Sequence, residues 1–173
     1  LLEKRQGSGN YVKTGATPNS VYSFFRVELI DGGGLPTAQV LNVDLLPKPA
    51  AFPAFGPASR AYRIRRLRSL NAQPAVLEEI WLDGNQATQL STIELSHSLY
   101  LYYRNVLNLW ITEAEDQLGL EPVPQWAPDG FDPRPGTPCL FAARLSRSQT
   151  GETIEYSQNW IDTNVARYVA RIK

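Results

Sequence analysis

The sequence predicts an α+β fold built on an antiparallel β-sheet. Segments with strand character outnumber those with helical period, and they meet through hairpins. A length of 173 residues suits one hydrophobic core, with little left over for a second. Hydrophobic residues at 43% and charged residues at 20% are ordinary globular values, and no apolar run approaches the ~20 residues of a membrane span.

The elements follow in order. The opening LLEKRQGSGNYV places two short extended pieces around a Gly-rich turn, a β-hairpin too small to be stable alone. Residues 13–20, KTGATPNS, have the chemistry of turn and linker, and the main boundary falls there. Residues 21–30 are expected to form a helix, since Phe24, Phe25 and Leu29 recur at helical spacing before Asp31-Gly32-Gly33-Gly34. Residues 38–46 form a strand, rich in Val and Leu and ended by Pro47. Four prolines in PKPAAFPAFGPAS then exclude a regular element.

Residues 61–68 and 75–83 read as the arms of a second hairpin. Along them Tyr62 and Ile64 share a face with Arg66 and Arg68, and Val76, Ile80 and Leu82 share one with Glu78. If both apolar faces meet one core, Arg66 lies opposite Glu78, and charges sit inside an apolar face. Either a cross-strand ion pair occupies the sheet margin or the face lines a polar pocket. Residues 98–107 form a helix, with Leu99, Tyr102, Tyr103, Val106 and Leu107 on one stripe and Ser96 or Ser98 as N-cap. Residues 110–118 fit strand or helix equally by period. The proline-rich stretch 121–138 is loop with short turns of helix. Residues 139–147 and 153–160 form a further hairpin whose turn Gly151 supplies, and residues 167–172 close the chain as a strand.

Composition also limits function. Seventeen basic and seventeen acidic residues give zero net charge, without the basic patch of an autonomous nucleic-acid binder. The lone Cys139 cannot form an internal disulfide, and no secretory signal pattern opens the chain, so a cytoplasmic protein is expected. A sequence without Met that opens at Leu1 reads as a fragment or processed product. One His and one Cys cannot make a structural zinc site, and HExxH, CxxC, Walker-type and GxGxxG patterns are absent. Neither metal nor cofactor is expected. Gly32-Gly33-Gly34 follows a helix-like segment and precedes Pro36, which suits a turn better than a phosphate loop. His97 reads as a capping or surface residue, Cys139 as core, and Glu113, Glu115 and Asp116 as a solvated acidic face. No nucleophile and base can be paired.

These pieces together resemble a known family. LLEKRQGSGNYV resembles the wing and last strand of the winged helix-turn-helix domain of GntR-family transcription regulators. The rest resembles the UTRA effector-binding domain of the HutC subfamily, a fold shared with chorismate lyase. The resemblance rests on Arg66-Leu67-Arg68, Pro74, Glu78 in LEEIWL, Ser98-Leu99-Tyr100, and Gly151 with Glu155-Tyr156 in GETIEYS. It implies a chorismate-lyase-like sheet of about six strands with flanking helices, a cleft between sheet and loops, and a homodimer. Residues 1–14 would then be the remnant of the wing and linker, and 15–173 the effector-binding and dimerisation domain.

By the same resemblance, relatives that bind phosphorylated sugars use positions matching Arg66, Arg68, Glu78, Ser98, Tyr100 and Glu155. Phe25 stands where those relatives carry Thr, and Arg26 supplies a further cation if it turns inward. Two guanidiniums and a helix N-terminus suit an anionic group, while Glu78 and Glu155 can accept hydrogen bonds from its remainder. Without a ligand, the same residues would form internal pairs, Arg66 with Glu78 and Arg68 with Glu155. The implied function is a sensor of a small anionic metabolite that modulates operator binding, as in a repressor, through a DNA-binding domain upstream. A chorismate-lyase-type enzyme and a pure dimerisation module are the alternatives.

Overall fold

The computed structural model describes residues 2–5, 9–12, 23–92, 95 and 98–173. The opening hairpin is formed by β1 (Leu2–Arg5) and β2 (Gly9–Val12), paired antiparallel with Leu2 opposite Val12. The linker at 13–20 lies outside the described residues.

The main body is a six-stranded antiparallel sheet in the order β4-β5-β6-β9-β8-β7. Its strands are β4 (Pro36–Pro47), β5 (Arg60–Leu70), β6 (Gln73–Asp83), β7 (Ile111–Pro122), β8 (Pro138–Ser148) and β9 (Thr153–Ile161). The β5–β6 hairpin turns tightly at Asn71 and Ala72, both with positive φ of 48° and 64°. That pair of left-handed residues is the primed turn that matches strand twist. Gly151, with φ of 84°, makes the β8–β9 turn as expected. Residues 110–118, ambiguous by period, belong to edge strand β7. Most of its side chains are exposed, so burial imposes no clear alternation on it.

The expected helix over 21–30 is absent from its described part. Residues 23 and 24 form a turn, and β3 (Val27–Leu29) pairs antiparallel with β10 (Ala166–Tyr168) as a separate two-stranded sheet. The apolar spacing that suggested a helix serves two tasks instead. Phe24 packs beside the helix-covered core, whereas Phe25, Val27 and Leu29 pack with Leu70, Val76, Ile161 and Ala166. Gly32, Gly33 and Gly34, all at positive φ, make the turn after β3. The closing strand is likewise confined to β10, and residues 169–173 are irregular.

One α-helix, α1 (Leu99–Leu107), occurs among the described residues and covers one sheet face. Its Leu99, Tyr102 and Tyr103 pack on Tyr62, Ile64, Ile80, Leu82 and Ile154. The opposite face is closed by the proline-rich loops. Phe55 joins Ala61, Trp81 and Tyr156, while Val123 and Phe131 join Leu67, Leu77, Trp160 and Cys139. Cys139 is the buried core residue expected, its thiol pushed up to about 11 by burial and by nearby Asp162.

Candidate functional site

The pleat places the site. Residues 66 and 68 of β5 project to the helix-covered face between two apolar clusters, and the register sets Arg66 opposite Glu78, as strand parity required. Both guanidiniums converge on that one carboxylate. Arg66 Nε donates to Glu78 Oε1 at 3.0 Å, and Arg68 Nε donates to Oε2 at 3.0 Å. Arg66 also donates through Nη1 to the Leu95 carbonyl at 2.9 Å. All three side chains are buried, so this is an interior ion-paired cluster rather than a pair at the sheet margin. Burial acts against charge on Glu78, yet the two guanidiniums outweigh it and hold the carboxyl below its ordinary value. Burial lowers Arg66 as well, with Glu78 opposing.

Glu155 is held differently. The ion pair with Arg68 considered from sequence is not formed, because Arg68 turns to Glu78. Hydroxyls surround Glu155 instead. Tyr103 donates to Oε2 at 2.5 Å, and Ser146 and Tyr100 donate to Oε1 at 3.0 and 3.3 Å. With desolvation dominant, its carboxyl is raised above the ordinary value, and Tyr100 is raised by burial and by Glu155. Ser98 caps α1, its Oγ accepting from the Leu101 amide at 3.2 Å. His97 and Ser96 lie outside the described residues.

All eight candidate residues, Phe25, Arg26, Arg66, Arg68, Glu78, Ser98, Tyr100 and Glu155, line a single cleft of about 110 Å³. The Phe25 ring lies against the Arg68 guanidinium, 5.2 Å from its centroid, and Phe24 meets Tyr100 edge-on at 6.3 Å. Arg26 borders the cleft while donating back to the Ser23 carbonyl at 2.6 Å.

Sequence reasoning missed a second polar cluster in the same cleft. Arg144 of β8 grips Asp116 of β7 through Nε at 2.6 Å and Nη2 at 2.8 Å. The Tyr168 hydroxyl also donates to Asp116. Asp116 therefore departs from the solvated acidic face expected of it, while Glu113 and Glu115 are exposed. Burial opposes charge on both partners, yet the pairing holds Asp116 below its ordinary value and Arg144 above its own. Tyr168 is pushed up to about 12 by burial and by Asp116. A signal existed. The parity argument that flagged Arg66 places Arg144 with Ala142 and Ser146 on one face of β8, and Ser146 pairs with Glu155. Among the described residues no cluster of His, Cys, Asp and Glu could hold a metal ion.

Comparison with known proteins agrees with this architecture. The UTRA domain profile matches residues 31–167. The HTH-type transcriptional regulator SmoD of Agrobacterium fabrum is 53% identical over 173 residues, covering 100% of this chain and 74% of that protein. The ligand-binding domain of a putative GntR-family transcriptional regulator from Bordetella bronchiseptica superposes with a TM-score of 0.74 at 22% identity, covering 88% of this chain and 99% of that one. The possible transcriptional regulator YydK from Bacillus subtilis superposes at 0.70 with 19% identity, covering 99% and 76%. The two superpositions establish the fold, and the match to SmoD carries the regulatory role in place of an enzymatic one. The chain belongs to the UTRA domain family, and its 53% identity to SmoD places it among HTH-type transcriptional regulators.

Proposed function

We propose that the cleft binds a small anionic metabolite through Arg66, Arg68, Glu78, Ser98, Tyr100 and Glu155, with Phe25 and Arg26 closing one wall. The observation that carries this is the floor of the cleft, where two buried guanidiniums share one carboxylate. Two guanidiniums held side by side in a low-dielectric cleft present the planar donor forks that suit a phosphate or carboxylate group. Among the described residues of the lining, four arginines face three carboxyls, and burial shifts one of those, Glu155, toward its neutral form.

The domain works as a homodimer in the cytoplasm, in the manner of the HutC branch, and residues 1–14 are the end of a DNA-binding head and its linker. Effector binding favours one placement of the cleft walls, and by linkage changes operator affinity, as a repressor requires. A thermal-shift screen of phosphosugars, phosphonates, amino-acid catabolites and fatty acids tests the site. A true effector stabilises by about 2.7 kcal/mol at a hundredfold excess over its Kd. Arg68→Ala is expected to abolish that shift while the protein remains folded. An undiminished shift in the variant removes Arg68 from the site.

A further inference from the structure

Phe24, Phe25 and Arg26 wall the cleft and, in sequence, follow residues 1–22. Their downstream end is fixed. Val27 is buried and pairs with Tyr168, while Ala166 beside it is fully buried against the main sheet. Residues 23–26, just upstream of Val27, are each at least partly exposed. Two polar ties hold this stretch. Arg144 Nη2 donates to the Phe24 carbonyl at 2.7 Å, and the Val169 amide donates to the Arg26 carbonyl at 2.6 Å.

The direction of the first tie is set by Asp116. Its carboxylate takes both Arg144 Nε and Nη2, which orients the planar guanidinium so that Nη2 also reaches Phe24. We infer that Arg144 is a positioning residue that latches residues 23–26 over the cleft, and that effector occupancy passes to the chain upstream of residue 23 through this latch. The second half rests on the cleft being the effector site. Phe24, Phe25, Tyr168 and Arg144 all line it, so a ligand that moves the Phe25 ring from Arg68 acts on the segment whose carbonyl Arg144 holds. The structure holds the Phe24 carbonyl bonded, and its release is the second state that such a switching element needs.

Amide exchange followed by NMR on the full chain tests this, with Val169 as reporter of the Arg26 carbonyl. In unliganded Arg144→Ala and Arg144→Lys, Val169 is expected to exchange about tenfold faster, with amides of the β5–β6 ladder within about twofold of wild type. Unchanged Val169 exchange, or acceleration shared by the ladder, overturns the latch. If the alanine variant fails to fold, Arg144→Lys and Tyr168→Phe, which removes one donor from Asp116, carry the same comparison.

Inorganic phosphate is the probe for coupling. It should alter Val169 exchange in wild type, whereas Arg144→Lys, compared at phosphate concentrations that saturate each protein, should lose that response. Binding that leaves Val169 unaffected in wild type overturns transmission through the latch. Failure of wild type to bind phosphate counts instead against the anion site, and the unliganded comparison still decides the latch.

Discussion

Glu78 and Glu155 are buried carboxyls on the same face of the sheet, held in opposite ways, and they should fail differently. Glu78 is held below its ordinary 4.5 despite burial, because two guanidiniums face it. Its folded state binds fewer protons than the unfolded chain, so its contribution is present above about pH 4.5 and is lost as the pH falls toward the lowered value. Glu155 is raised by burial, so its penalty is present above its folded value and is relieved on acidification. Glu78→Gln, which removes the carboxylate that both guanidiniums grip, is expected to cost about 3 kcal/mol at pH 7. The deficit should narrow below pH 4.5, as wild type loses the same contribution. Glu155→Gln, among hydroxyls that can reorient, is expected to cost less than about 1 kcal/mol. Urea unfolding at pH 7 and pH 4 checks both, and equal losses at pH 7 would contradict the difference in their surroundings. Arg66, Arg68 and Glu78 were legible because a charge on an otherwise apolar strand face is a visible exception. The choice of partner was not. Whether Arg68 reaches Glu78 or Glu155 depends on side-chain direction across two strands, which alternation along one strand does not encode.

Among the elements, the β5–β6 hairpin was the most legible, since two long alternating arms leave one register that buries both apolar faces. Its turn is tighter than the loop expected over residues 69–74, because Ala72 adopts the left-handed conformation at φ of 64°. A Cβ is disfavoured there, so Ala72→Gly is expected to stabilise the protein by about 0.5 to 1 kcal/mol, less the entropy that glycine restores to the unfolded chain. A lower denaturation midpoint in this variant would show that the turn is not left-handed in solution. The stretch 21–30 was misread for a different reason. Three strand residues are too few to display a period of two, and their partner β10 comes from the other end of the chain. Helical spacing of Phe24, Phe25 and Leu29 arose from residues serving a cleft wall and a separate core cluster. Edge strand β7 was ambiguous because it is solvated along most of its length, which also hid the inward-facing Asp116.

For the molecule as a whole, zero net charge conceals a division between the two faces of one sheet. On the loop-covered face, Arg65 pairs with Glu79 at 2.9 Å and lies over Trp126, and Arg63 pairs with Asp44 at 2.9 Å. Each of these arginines has its own carboxylate. On the cleft face, Arg66 and Arg68 both grip Glu78. The number of strands was legible only through family resemblance, and their order was not legible, since no local pattern says that β6 lies beside β9. The coupling of cleft to upstream chain was not legible at all, as it passes through Arg144 and Asp116, brought together by register. The difference between the faces can be read in one titration. Inorganic phosphate added to the isotope-labelled protein, with the arginine Nε–H resonances followed by NMR, should shift Arg66 and Arg68 saturably and leave Arg63 and Arg65 in place. The absence of a saturable shift at Arg66 and Arg68, or an equal shift at all four, would contradict an anion site in the cleft.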